Sequence, residues 1–169
     1  MTQVNRDKES ILGRCDCDQI QYAVNQSPLY VHCCHCTWCQ RESGAAFAIN
    51  ALIESSAIEV THGVPALIDT PSESRGGQLM ARCPNCQVAL WSHYPNFGKL
   101  MSFIKVGTLD NPHLMPPDIQ IFTQSKQQWF ILPTDKPASK RFYNRDEMWP
   151  KDSLLRLDAL LKQLNQQNT

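Results

Sequence analysis

The sequence predicts a mainly β domain with one C-terminal amphipathic helix, organised around bound metal. Three observations lead there. Apolar and polar residues alternate in short runs, one tail segment switches to a helical period, and seven of the eight cysteines fall into tight groups. Ile20, Tyr22 and Val24 alternate with polar neighbours, and similar runs recur at 47–53, 78–82, 88–94, 100–106 and 119–123. A two-residue period over four to eight residues, punctuated by turn residues, is the mark of half-buried strands. In 153–164 the period changes: Leu154, Leu157, Leu161 and Leu164 recur at three- and four-residue intervals and form one apolar helical stripe. That helix packs on the domain's own surface or offers a face to a partner. The Pro-rich stretch 111–117 reads as a loop. The resulting organisation is an N-terminal extension over 1–10, a zinc domain over 11–145 and a helical tail over 146–169 packed on it.

At 169 residues the chain suits one compact domain that buries a core without help from disulfides. Sixteen basic residues balance sixteen acidic ones, so there is no bulk positive field for nucleic acid or an anionic membrane. The first ten residues are polar, and no stretch reaches the roughly 18 apolar residues of a membrane span. A cytoplasmic protein is therefore expected, with partners recognised locally. Cysteines in that compartment stay reduced, which turns tight spacings from a disulfide framework towards metal ligation.

The groups are Cys15-Asp-Cys17, Cys34-His-Cys36-Thr-Trp-Cys39 and Cys83-Pro-Asn-Cys86. Tetrahedral zinc takes four soft ligands, and a C-x-x-C turn brings two thiolates to one point. Cys83 and Cys86 meet that need, and in an extended segment Cys15 and Cys17 share a face and supply the matching half. These four are the expected structural zinc site. The same alternation puts Cys34 and Cys36 together, with Cys33 and His35 pointing the other way. Cys39 closes back through a turn, giving three ligands and one open coordination position, which is the arrangement of catalytic zinc. Alternatives at this point are Cys33 as a fourth ligand closing the site, and His32 or His35 as a ligand in place of an ordinary packing role.

With these residues in hand, the sequence resembles the glutathione-dependent formaldehyde-activating family, which shares the zinc domain of the centromere-protein-V type. The likeness rests on Gly13-Arg-Cys-Asp-Cys17, on Cys34-His-Cys-Thr-Trp-Cys-Gln-Arg-Glu-Ser-Gly44, on Cys83-Pro-Asn-Cys86, and on 119–126 followed by Trp129. It implies a β-tent fold of small antiparallel sheets around a structural zinc, a catalytic zinc on Cys34, Cys36 and Cys39, and hence two zinc ions per chain. One departure stands out: the family's second cysteine pair usually ends Cys-Gly, whereas Gln87 follows Cys86 here.

Three thiolates leave zinc with a formal charge near −1, a weak Lewis acid but a good host for a substrate thiol. The implied activity is that of a carbon–sulfur lyase of the S-(hydroxymethyl)glutathione synthase type, joining glutathione to formaldehyde or a similar small aldehyde. Arg41 and Lys126 are candidate partners for a glutathione carboxylate, or solvated charges. Trp38 and Trp129 are core aromatics or pocket walls, and Ser43 and Gly44 hydrogen-bond near the site or make a turn. The rival reading is a non-catalytic, zinc-stabilised binding module, for which the outer four cysteines alone suffice.

Overall fold

The computed structural model describes residues 10–167, so the expected N-terminal extension lies outside it except for Ser10. Ten strands form two sheets among the described residues. Strands β1 (Ile11–Arg14), β2 (Gln21–Val24) and β5 (Ile58–His62) make a small antiparallel sheet in the order β1-β2-β5. The larger sheet has seven strands. Its order is β10 (Ile119–Ile121), β3 (Tyr30–Cys34), β4 (Ala48–Glu54), β9 (Met101–Lys105), β8 (Ala89–His93), β7 (Gln78–Arg82) and β6 (Ala66–Thr70). The expectation of small antiparallel sheets is thus met by one sheet and exceeded by the other, which is mixed: β10 runs parallel to β3. Parallel neighbours need a long crossover, and here everything from β4 to β9 intervenes.

The alternating runs fall on β2, β4, β7, β8, β9 and β10, whereas β1, β5 and β6 carried no clear period. Strands β5 and β6 are edge strands whose residues are largely solvent-exposed, so neither has a buried face to leave an alternating signature.

The alternation along β3 and β4 divides the interior in two. Val31, Ala51 and Ile53 join Tyr22 and Val24 of the small sheet and Ile20 just before it, with Leu90, Trp91 and Ile104, in one core. Tyr30 and Leu52 face the other way, into a second core with Leu29, Met101 and Ile119. Tyr22 packs edge-on against Trp91 with ring centroids 5.4 Å apart. Its ring also lies over the backbone of its register partner Gly13, where any Cβ would overlap it. The glycine of the first motif is therefore required by close approach.

Two short helices, α1 (Thr37–Ser43) and α2 (Arg145–Met148), precede the long α3 (Lys151–Gln167). Leu157 and Leu160 of α3 are buried with Trp149 in the second core, with Leu154 and Leu161 half-buried beside them. The stripe is thus centred on Leu157 and Leu160 and has Leu154 and Leu161 at its margins. Arg156 fixes the helix by pairing with both carboxylate oxygens of Glu54, at the end of β4, and donating to the Ser27 carbonyl at 2.9 Å. No helix among the described residues is long and apolar enough to cross a membrane.

Truncating a buried leucine costs the lost transfer energy and the cavity left behind, about 2–5 kcal/mol. Leu157→Ala is therefore expected to destabilise the protein by that amount in chemical denaturation. Leu155→Ala, at a position 67 % exposed, is expected to change stability by less than about 0.5 kcal/mol.

Candidate metal centres

The first group forms where two strand ends meet. Cys15 directly follows β1 and Cys83 directly follows β7, with Cys17 and Cys86 in the turns beyond. The four sulfurs all lie within 4.8 Å of one another. Cys17 Sγ is 3.6 Å from both Cys15 Sγ and Cys83 Sγ. A tetrahedron with Zn–S bonds of 2.3 Å has edges of about 3.8 Å, whereas a disulfide requires about 2.05 Å. The spacing fits a shared cation and not a covalent bridge.

The backbone supports the same reading. Ile20 N–H donates to Cys15 Sγ at 3.2 Å, and the residue after each turn's last cysteine has positive φ, 60° at Asp18 and 62° at Gln87. The latter explains why glycine is usual there. Gln87 tolerates the left-handed region because it is held three times. Its N–H donates to Cys83 O at 3.1 Å, its side-chain amide donates to Pro84 O at 2.9 Å, and Arg82 donates to its carbonyl at 3.0 Å. Burial pushes the Cys15 thiol up to about 11, while hydrogen bonds from the Asn85 side chain and Gln19 backbone draw Cys17 down to about 6.

The second group is built by β3 and α1. Cys34 ends the strand, and Cys36, though past it, keeps an extended backbone (φ −63°, ψ 151°) and caps α1. The two sulfurs thus share a face. Cys39 lies in the first turn of α1, a helix where the sequence indicated only a turn, and its N–H donates to Cys36 Sγ at 3.3 Å. All three sulfurs lie within 4.8 Å of one another, on residues no more than 5 % exposed. Hydrogen bonds from Cys34 and Cys39 lower Cys36 to about 3, and the same bond to Cys36, then the one with Cys39 and burial, drives Cys34 far up. The bond with Cys34 pulls Cys39 down, but donation to Cys36 together with burial outweighs it and leaves Cys39 at about 12. Two thiol protons thus hold together what a soft divalent cation would hold better.

Cys33 is not part of either group. It faces away from Cys34, with Sγ 3.7 Å from His35 Nε2, and burial pushes its thiol up to about 12. His35 packs against Phe47 and Phe130, which also contact each other, and bonds Gln120 Oε1 at 2.8 Å. His32 is close to the site but bonds Tyr143 Oη. Ser43 Oγ donates to Cys39 O at 2.7 Å and Gly44 ends α1 at φ 64°, so both make the turn.

A cavity of about 650 Å³ opens onto Cys34, Cys36 and Cys39, within the size range of small-molecule sites. Trp38, Tyr94, Phe97, Phe103, Phe122 and Phe142 form apolar walls, and His32, Asn50, Gln124 and Arg141 are among its polar groups. Neither Arg41 nor Lys126 lines it; Lys126 instead donates to the Phe130 carbonyl at 3.0 Å. Arg141 is the cation in the wall. Its carbonyl accepts from Phe122 N–H at 3.0 Å, just beyond β10, and its Nε donates to Gln124 Oε1 at 3.4 Å. No spacing rule links residue 141 to residue 34, and only the tertiary fold brings them together. Trp38 is half-buried against the second core and also forms part of the cavity wall, whereas Trp129 is 72 % exposed and is not a core aromatic. A second cavity of similar volume, beyond Tyr94, has Arg75, Gln78, His93 and Lys99 in its lining and contains no cysteine.

The two groups are joined by charge. Glu42, three residues after Cys39, pairs with Arg82, which immediately precedes Cys83, and lies 3.9 Å from Lys105 Nζ. Lys105 donates to Asn50 Oδ1 at 3.0 Å, and its charge favours the thiolate of Cys39.

Because Cys34 and Cys39 carry protons until well above neutrality while Cys36 does not, loading the three-sulfur group with zinc at neutral pH releases two protons. Binding therefore tightens as pH rises. Competition against a chelator between pH 6 and 8 is expected to give an affinity increase of about 100-fold per pH unit, after correction for the chelator's own protonation.

A family model described as "Glutathione-dependent formaldehyde-activating enzyme" matches residues 10–125. A comparison with curated proteins finds no significant match. Among solved structures, the crystal structure of a Rhodobacter sphaeroides protein aligns over 61 % of this chain and 93 % of its own, at 21 % identity and a TM-score of 0.46, which is too distant to bear on fold or function. The family match spans more than half of the chain and contains both cysteine groups, and the chain belongs to the glutathione-dependent formaldehyde-activating family.

Proposed function

We propose that Cys15, Cys17, Cys83 and Cys86 hold a structural zinc and that Cys34, Cys36 and Cys39 hold a catalytic one. On this reading the protein is a carbon–sulfur lyase of the S-(hydroxymethyl)glutathione synthase type, joining a thiol such as glutathione to a small aldehyde such as formaldehyde. The observation that carries the proposal is the contrast between the groups. The first has four sulfurs, whereas the second has three, no further ligand among the described residues, and a cavity in front of it. A binding module on the same fold has no use for an incomplete ligand set facing a cavity.

When bound, zinc supplies a soft cation that lowers the pKa of a substrate thiol. The chain supplies the rest. The aromatic walls exclude water and hold the two reactants together, which for an electrophile as reactive as formaldehyde is a large part of the barrier. Lys105, with its side chain 13 % exposed, sits where its charge offsets that of the thiolates. Arg141 is placed to pair with a carboxylate of the thiol substrate. The overall step is balanced without a redox partner: the sulfur–carbon bond forms, the carbonyl π pair moves to oxygen, and the proton lost by the thiol is replaced by one taken up at oxygen.

Elemental analysis of protein purified without added metal is expected to give two zinc per chain, falling to one in Cys36→Ser. Adduct formation, followed as thiol-dependent loss of free formaldehyde, is expected to fall at least 100-fold in that variant. Unchanged turnover at saturating thiol would rule out the three-sulfur group as the catalytic centre. Arg141→Ala is expected to raise KM for glutathione roughly 3- to 10-fold, the loss of one partly exposed charged pair worth about 1 kcal/mol. KM for an uncharged thiol such as 2-mercaptoethanol should stay the same, and an equal change for both thiols would remove Arg141 from the substrate contact.

A further inference from the structure

Trp149, Tyr143 and His32 form a hydrogen-bonded chain that ends at the cavity. Trp149 Nε1 is 2.6 Å from Tyr143 Oη, which is 2.6 Å from His32 Nε2. The directions follow from the donor inventory. An indole N–H only donates, so Tyr143 Oη accepts from it. The tyrosine hydroxyl has no other acceptor among the described residues, so its own proton goes to His32 Nε2. That nitrogen is then the bare acceptor of a neutral ring, and the ring's proton resides on Nδ1.

Nδ1 has no partner among the described residues, and it is not one of the enclosed unpaired atoms, which are His35 Nδ1 and Gln78 Oε1. His32 lines the cavity together with Cys34. The two stand two positions apart on β3, hence on one face with their Cα atoms about 6.6 Å apart. Both side chains line the same cavity, so a small carbonyl in front of the three-cysteine group would share that space with the imidazole.

We propose that His32 binds the aldehyde oxygen through Nδ1–H, and that Tyr143 and Trp149 are positioning residues that fix the tautomer able to do so. This rests on the thiol–aldehyde reading above. As the carbon–sulfur bond forms, the carbonyl π pair moves onto oxygen, where a donor already stands. A proton from water then completes the hydroxyl, the thiol proton having left to solvent, and His32 neither gains nor loses one. Preorganised donors of this kind contribute 10²–10³ in kcat. Tyr143 and Trp149 lie beyond the residues matched by the family, 10–125, so this chain completes the device with its own C-terminal segment.

The test uses full-length, zinc-loaded protein labelled with nitrogen-15 histidine. The His32 resonances are expected to show a protonated Nδ1 and a bare Nε2, and Tyr143→Phe is expected to shift the ring towards the other tautomer. In the same variant kcat for adduct formation should fall about tenfold, with KM for the thiol and zinc content unchanged. His32→Leu is expected to lose 10²–10³ in kcat, and His32→Asn, whose amide N–H replaces Nδ1–H, to recover part of it. Full kcat in His32→Leu with both zinc ions bound would overturn the donor role and leave the lyase reading intact. If His32→Leu does not fold, Tyr143→Phe decides, and an unchanged tautomer with unchanged kcat overturns the proposal. Wild-type protein that forms no adduct with any thiol and aldehyde pair would overturn both.

Discussion

Strand β3 is held between β4 and β10 with all five of its residues buried, and both cores and the three-sulfur group depend on its register. His32 lies opposite Asn50 on β4 and Ile119 on β10, and Cys34 opposite Ala48 and Ile121. A slip of one residue would exchange the faces. Cys33 would then meet the cavity while Cys34 and His32 entered the core between the sheets. The neighbouring strands make that exchange costly, because Ala51 and Ile53 are committed to one core and Leu52 to the other. Selection of Cys34 over Cys33 is therefore a consequence of sheet pairing and not of the chemistry of either thiol.

The cysteine groups are distant in sequence but not independent in the folded chain. Cys15 and Cys83 belong to the core between the sheets, and Cys34, Cys36 and Cys39 to the core under α3. The ion pair of Glu42 with Arg82 runs between them, from the helix that carries Cys39 to the turn that carries Cys83 and Gln87. Metal binding free energy in such a protein is also folding free energy. A cation held by the four-sulfur group would stabilise the turn on which Arg82 leans, and so the helix that aims Cys39. The formal charges agree with this arrangement. Three thiolates around a divalent ion leave one negative charge, and Lys105, Arg82 and Glu42 together supply one positive charge nearby.

The C-terminal segment belongs to the same architecture. Trp149 stacks on Tyr30 of β3 with ring centroids 5.6 Å apart and 28° between planes, and Tyr143 contacts the edge of His32. Leu157 and Leu160 then seal the second core against Leu52 and Met101. The tail thus braces the strand that carries Cys34, and Phe142 and Arg141, just before it, complete the cavity wall.

Much of this was legible in the chain. Period-two runs located most interior strands because each has a buried face, and the leucine spacing located α3 because one face of it is buried. Cysteine spacing identified which sulfurs converge, through extended backbone at Cys34 and Cys36 and a turn at Cys83 and Cys86, whereas Cys15 and Cys17, expected on an extended segment, come together in a turn after β1. At Gln87, where glycine is usual in the family, only the structure shows that the positive φ is kept, with three hydrogen bonds holding the residue there. What only the tertiary structure decided are contacts between segments far apart in sequence. Edge strands β5 and β6 left no signature because they lack a buried face, and α1 was too short to show a period. Arg141 replaced Arg41 and Lys126 in the cavity because a loop pairs with β10, and His32 acquired a hydrogen-bond partner because Tyr143 folds back onto β3. Spacing along a chain constrains residues that share one turn or one strand, whereas the groups that surround a substrate are assembled across sheets, where only packing and register determine who meets whom.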